Sequence, residues 1–468
     1  MTLNQQWPFA LLSTCFFLAS QIYAEGENEI SAGELEEHVS FLASDDLEGR
    51  SIGSAGIDLA SEYLADQLES YGLQPAGDEG SFLQEMFFEI ESYEALPELV
   101  IGESLEATYG ADFRMRRGGV GGKYELQLVG KGDLLPAVRG AKTALCLLDM
   151  NYSSARKWLK ENVVEEESSY GLIVSFSSRA GKAATSLPRT SRPKLVSDSE
   201  LEQHTPWIEL APEYEARIAA GEIATLNLDM HYNRKIVASH NVIGRLPGSS
   251  LGKEIVVVSA HYDHNGTQSA LPEQPDADLI QNGADDDASG VACVLELAQK
   301  FAANGPQARE MIFFLATAEE LGVVGTTFYI DHAGEALQRI VANLNFEMIG
   351  RPDDNVGGAG RMWLTGFERT NLMDTYRDEG IDIAADPYPA QNFFMRSDNI
   401  VFCMKGIVGH TFSSYNLHKD YHTVRDETEF IDFEHMYKCT QAGYEAVRLV
   451  ADGTITPEWL EGGQPKPR

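Results

Sequence analysis

Positive charge is scarce in this 468-residue chain: 36 lysine and arginine residues stand against 72 aspartate and glutamate, a formal net charge of −36. Such a balance repels phosphate backbones and anionic headgroups, which disfavours nucleic acid and acidic membrane surfaces as partners. The acidic residues are spread along the chain rather than gathered in a tail, the pattern of a solubilising surface. Beyond the first two dozen residues no apolar run reaches the ~18 positions needed to span a bilayer. Cysteine is sparse too, with five in all. After Cys15, the thiols Cys146, Cys293, Cys403 and Cys439 sit in apolar contexts without a C-x-x-C pair. Buried thiols are therefore expected and zinc–thiolate chemistry is not, although Cys403 and Cys439 could pair in an oxidising compartment. Internal repeats and low-complexity tracts are absent.

The segment 1–24, MTLNQQWPFALLSTCFFLASQIYA, has no charged side chain. An apolar core from Trp7 to Ala19, followed by Ile22-Tyr23-Ala24, reads as a secretory signal cleaved after Ala24. Thr14 before Cys15 is a poor fit to lipid anchoring. An exported protein, periplasmic or secreted, is expected. Residues 25–114 open the main domain with two helical patterns, GELEEHVSFLAS and GIDLASEYLADQLESYG. The joint between them contains Gly49, Gly53 and Gly56 but follows no strand, so it is no nucleotide fingerprint. Residues 115–235 change texture to short β-like runs (YELQLVG, KTALCLLDM, YGLIVSF, PWIEL) around one acidic helix, as in an inserted β-rich module. From 236 to 468 strand and helix alternate. EIVVVSA, MIFFLATA, RIVANLNF and RMWLTG are buried-strand runs, with helical stretches at 289–303, 367–380 and 432–452. This alternation predicts an α/β domain with a mostly parallel central sheet covered by helices on both faces.

Ligands of open α/β sheets gather beyond the carboxyl ends of strands. Three strand candidates end in metal-capable residues: His261-Tyr262-Asp263-His264, then Glu319 and Glu320, then Glu347. One histidine so placed would mean little, but recurrence at successive strands points to a shared metal site. Adjacent glutamates diverge, so one of Glu319 and Glu320 can bind metal while the other faces water. His261 and Asp263 lie on one side of an extended segment, where Asp263 could accept the spare ring N–H of His261. The aspartate run Asp285-Asp286-Asp287 precedes a helix. Asp285, Asp287, Ser289, Gly290 and Glu296 have the spacing of a calcium loop, but Pro272, Pro275 and Gly283 leave no room for its entering helix.

In order, LEGRSIGSAGIDLASEYLADQLESYGLQPAG, HNVIGRLPGSSLGKEIVVVSAHYDH, NGADDDASGV, ATAEELG, NFEMIG, RSDNIVF…KGI and DYHTVRDE resemble the co-catalytic zinc exopeptidases. That family includes bacterial secreted leucyl aminopeptidases and glutamate carboxypeptidase II. The resemblance covers nearly all of the chain after the leader, and residues 115–235 look like the family's protease-associated domain. It implies two zinc ions, one held by His261 and Glu347, the other by Glu320 and His422, with Asp286 bridging. It further implies Glu319 as general acid/base for a metal-bridging hydroxide, Tyr421 as an oxyanion donor, and supporting positions for Asp398 and Asp426. One departure is Glu347, where members often carry aspartate; the longer side chain bears on substrate preference. The function implied is a zinc-dependent aminopeptidase acting on peptides with a free N-terminus. Alternatives on the same fold are a carboxypeptidase, for which Arg351, Arg361 and Arg396 are candidate cations, a glutaminyl cyclase, and a non-catalytic binding protein.

Overall fold

The computed structural model describes residues 29–466 apart from 120, 131–132, 134–139, 163–169, 178–191, 197–204, 269–276 and 416–417. The expected leader, residues 1–24, lies outside the described residues, as do Pro272 and Pro275. Two units are distinguished, Met1–Met86 with Ala238–Arg468, and Phe87–Val237. Among the described residues no helix is long and apolar enough to cross a membrane.

The first unit begins with α1 (Ala32–Leu42) and α2 (Ala55–Ser70). Ser31 caps α1, its hydroxyl accepting the N–H of Gly33 at 3.2 Å and of Glu34 at 3.4 Å; Ser54 does the same for Ile57 at 3.2 Å. Such caps satisfy amides that a helix leaves unpaired. Leu35, Val39 and Leu42 form the buried stripe of α1, and Ile57, Ala60, Leu64 and Leu68 that of α2, the spacing of amphipathic helices.

Then follow β1 (Tyr232–Leu246), β2 (Leu251–His261), α3 (Gly290–Asn304), β3 (Arg309–Ala316), α4 (Val324–His332), β4 (Ile340–Phe346), β5 (Met362–Leu364), β6 (Ile383–Ala385), β7 (Val408–Ser413) and α5 (Phe433–Ala451). Across the sheet these strands lie in the order β6-β5-β7-β4-β2-β3-β1. β2 is parallel to β3 and β4, β4 to β7, and β5 to β6; β1 and β5 run antiparallel to their neighbours β3 and β7. The sheet is thus largely parallel.

Both of its faces are buried, which explains why the central strands read as unbroken apolar runs. Val256, Val258 and Ala260 of β2 pack with residues of α1, α2, α3 and α5. Ile255 and Val257, of opposite parity, pack with Tyr329 and Ile330 of α4 and with Phe402. Burying one aliphatic side chain contributes about 1.5–3 kcal/mol, so both layers hold the strand ends in place. Cys146, Cys293, Cys403 and Cys439 are buried free thiols; Cys403 and Cys439 form no disulfide.

The second unit is built on an eight-stranded sheet. Its strands lie in the order Leu105–Ala107, Glu98–Ile101, Thr225–Asp229, Gly122–Val129, Gly140–Leu147, Tyr170–Phe176, Trp207–Leu210 and Phe113–Arg117. Helices Tyr152–Asn162 and Pro212–Ala219 accompany it. The unit starts at Phe87 rather than at 115. Pairing carries the unit back before residue 115: Glu98–Ile101 is antiparallel to Thr225–Asp229 in the same sheet, a partnership between segments more than a hundred residues apart.

Candidate metal centre

Parallel strands bring their carboxyl ends to one edge, and the candidate ligands collect there. β2 ends on His261, paired in register with Ala316 at the end of β3. Glu319 and Glu320 follow the end of β3 by three and four residues, and Glu347 immediately follows β4. Asp286 comes from the turn before α3, and His422 from the loop before α5. His261 Nε2 lies 3.3 Å from Asp286 Oδ1. His422 Nε2 lies 3.0 Å from Asp286 Oδ2 and 3.1 Å from Glu320 Oε1. Two groups have donor atoms within 4.8 Å of one another: His261, Asp286 and Glu347, and His264, Asp286 and Glu320. Asp286 belongs to both.

These residues fit divalent cations. Glu347 Oε2 and His264 Nε2 are buried without a hydrogen-bond partner, a costly arrangement unless something else occupies them. Imidazole and carboxylate donors are those zinc accepts. His264, a metal-capable residue of the run HYDH to which the resemblance assigns no role, also enters the constellation. Period-two reasoning fails at that point because β2 ends at His261. His264 Nδ1 lies 3.0 Å from Glu320 Oε1.

The three aspartates point three ways. Asp285 accepts the N–H of Gly350 at 2.7 Å and lies 3.2 Å from His418 Nε2. Asp287 accepts the N–H groups of Met348 at 3.0 Å, Gly290 at 3.1 Å and His261 at 3.3 Å. Of the three, only Asp286 has its carboxylate toward His261, His264 and His422. The helix start is tight: a Cβ on Gly290 would stand 2.3 Å from Phe346 O and 2.4 Å from Asp287 Oδ1. Ahead of the run lie a short strand, Ile280–Gln281, and left-handed Gly283, so no helix enters it from that side.

Asp263 differs from expectation. The ring Nδ1 of His261 lies 3.2 Å from the backbone carbonyl of Asp263 and 3.8 Å from its carboxylate. That carboxylate instead accepts the N–H of Glu319 at 2.9 Å and of Glu320 at 3.3 Å. It therefore anchors the glutamate pair, while main chain orients the histidine. Ala318, Met348 and His422 all have positive φ (57°, 53° and 54°). For residues with a Cβ this costs about 1–3 kcal/mol each, and it aims Glu319, Glu347 and the His422 imidazole inward.

Electrostatics separates the carboxylates. Burial opposes ionisation of Asp286, but hydrogen bonds with His261 and His422 outweigh it and hold the group well below its ordinary range. Burial and Asp286 likewise oppose ionisation of Glu320, yet His264 and His422 bring it down to about 2. Burial, together with nearby Glu347, Asp398 and Glu320, pushes Glu319 well above the usual range against the pull of His261. Glu347 is raised to about 7, chiefly by burial. For His422 burial acts downward, but Asp286 and Glu320 raise it to about 10. Protonated histidines thus supply the positive charge the carboxylates need, and cation binding would release those protons.

Glu319, Glu320, Glu347, Asp286, Tyr421, His422 and Arg396 share one pocket, walled by Trp363 and Phe393. Tyr421 stacks on His422, ring centroids 3.8 Å apart. Arg351 is committed elsewhere: its Nη1 and Nη2 donate to Asp420 and Asp426, both at 2.9 Å. Arg361 pairs with Asp382. Asp426 in turn accepts backbone amides of Asp285 and Asp286, and Asp398 is fully buried. Sequence reasoning missed Arg50. Fully buried, it donates to the carbonyls of Tyr262 at 2.6 Å, Asn282 at 2.7 Å and Gly283 at 3.1 Å, and also to Leu42. An arginine in a glycine-rich joint gives no sequence signal for such a role.

Residues 241–447 match the model of Peptidase family M28. Aminopeptidase YwaD of Bacillus subtilis (strain 168) is 29% identical over 240 residues, covering 48% of this chain and 48% of that protein. A probable zinc metalloprotease of Pyricularia oryzae is 36% identical over 110 residues, 24% of this chain and 21% of that one. The chain spans about half the length of the first relative and about a fifth of the second. A solved aminopeptidase from Aneurinibacillus sp. strain AM-1 aligns over 90% of this chain and 94% of its own, at 20% identity and a TM-score of 0.49. The match to Peptidase family M28 contains His261, Asp286, Glu320, Glu347 and His422, and through residues 241–447 the chain is M28-like.

Proposed function

We propose that the protein is a zinc-dependent exopeptidase, an aminopeptidase that removes N-terminal residues from peptides. The observation that carries this reading is Asp286 shared between two donor groups, with Glu319 beside them in one pocket. The M28 match and the aminopeptidase named among the relatives support it. Two zinc ions are proposed, one toward His261 and Glu347, the other toward Glu320 and His422, with His264 adjoining the second. When bound, zinc supplies Lewis acidity to a carbonyl oxygen and to water.

The chain's own residues do the rest. Glu319, whose surroundings raise its proton affinity, takes a proton from the attacking water as a carboxylate and delivers it to the leaving amine nitrogen as the C–N bond breaks. The environment of Tyr421, half-buried near Asp286, Glu347 and Glu320, keeps its hydroxyl protonated and able to donate to a developing oxyanion. The carboxylates lining the pocket favour a cationic substrate N-terminus. Glu347, in place of the family's frequent aspartate, reaches further by one methylene. Phe87–Val237 is proposed as the protease-associated-like insertion, and residues 1–24 as an export leader.

Glu319→Gln tests the assignment. It should retain zinc while aminoacyl-anilide turnover falls by roughly 10²–10⁴. Near-normal turnover in that variant would refute the role.

A further inference from the structure

Arg396 is the one arginine of the pocket, which four carboxylates (Asp286, Glu319, Glu320 and Glu347) also line. A guanidinium kept only to balance charge would pair with one of them. Among the described residues Arg396 forms no ion pair; its guanidinium instead lies over the Phe393 ring, 5.1 Å from the centroid. Phe393 is itself fixed against buried Trp363, ring centroids 5.5 Å apart. A contact with an aromatic face holds the cation in position without using its N–H donors. The other two arginines considered for carboxylate recognition are committed, Arg351 to Asp420 and Asp426, and Arg361 to Asp382.

We infer that Arg396 receives the α-carboxylate of short unblocked peptides, so that dipeptides and tripeptides are the preferred substrates. This rests on the reading of the pocket as a peptide-hydrolysing site. A planar guanidinium with free donors is matched in geometry to a carboxylate, which it can hold through two parallel hydrogen bonds. Around a chain of net charge −36, a free carboxylate is otherwise repelled, and Arg396 offsets that repulsion where the substrate enters. Chain length follows from reach. Successive residues add about 3.3–3.6 Å each, so only a peptide ending one or two residues beyond the cleaved bond keeps its carboxylate inside the same pocket.

The test compares di-, tri- and pentapeptides of one sequence series, each as free acid and as C-terminal amide, on the zinc-loaded enzyme. The free di- or tripeptide should exceed its amide in kcat/KM by roughly tenfold or more, mainly through KM; the pentapeptide pair should differ little. Arg396→Gln should bring the acid-to-amide ratio near one, and Arg396→Lys should restore part of it. Calorimetric binding of the dipeptide acid and amide to Glu319→Gln reads the same preference without turnover. A wild-type ratio near one, or equal losses for acid and amide in Arg396→Gln, would overturn the inference and leave Arg396 a counter-ion. Absence of hydrolysis of every peptide and anilide would instead defeat the peptidase reading, and equal binding of acid and amide would then defeat this one too.

Discussion

The carboxylate of Asp426 accepts the backbone N–H of Asp286 at 3.0 Å. It accepts that of Asp285 as well, and Arg351 holds it from the other side at 2.9 Å. The candidate bridging residue is therefore fixed by a group 140 residues away in sequence, on the loop that also bears His422. Asp426→Ala strands a buried arginine and two amides. It should lower unfolding free energy by about 3–5 kcal/mol and weaken zinc binding, measured by denaturant titration and metal analysis. Unchanged stability and zinc content would show the network to be dispensable.

Asp286 lies in both donor groups, whereas Asp285 and Asp287 serve the main chain. Asp286→Ala should bind less than one equivalent of zinc after dialysis. His422→Ala should retain the ion near His261 and Glu347. Chelation of wild-type protein should abolish hydrolysis, with recovery on zinc addition. Equal zinc content in wild type and Asp286→Ala would sink the bridging assignment.

Gly290 allows α3 to start against β4. Its alanine variant meets the backbone carbonyl of Phe346 and the Asp287 carboxylate, neither of which can yield without disturbing the metal edge. A loss of at least ~2 kcal/mol is expected, read as a lowered melting temperature. An unshifted melting temperature would mean the turn can relax.

His410 is fully buried between the Thr365 carbonyl, 2.6 Å from Nδ1, and the Thr370 hydroxyl, 2.7 Å from Nε2. Burial lowers its pKa from the ordinary 6.5 to about 4. Between those values the unfolded chain binds more protons, so this residue's contribution is present above pH 6.5 and declines as pH falls toward 4. The loss is on the order of 3 kcal/mol at most. Unfolding free energies of wild type and His410→Asn, measured across that window, should differ in slope, with the wild type steeper. Parallel curves would remove His410 from the acid sensitivity.

Much of the centre is legible from residue pattern alone. Buried-strand runs ending in His261, Glu319-Glu320 and Glu347 determine a parallel sheet with metal-capable residues at one edge, because apolar strands must be covered and their carboxyl ends then coincide. Residue order also identifies the aspartate run as special, since three like charges before an apolar helix need partners. Only the tertiary structure decides which partners. Asp285 and Asp287 bind main-chain amides from Met348 and Gly350, and Asp263 holds the glutamate pair rather than His261. His264 and Arg50 gain their places from chain bends that no periodicity encodes. The second unit reaches back before residue 115 because strand pairing joins segments far apart, and Arg396 stands apart from Arg351 and Arg361 only through its neighbours. Local sequence sets which groups can ionise, donate or be buried. Long-range packing fixes which of them meet, because contact between distant residues depends on topology and register.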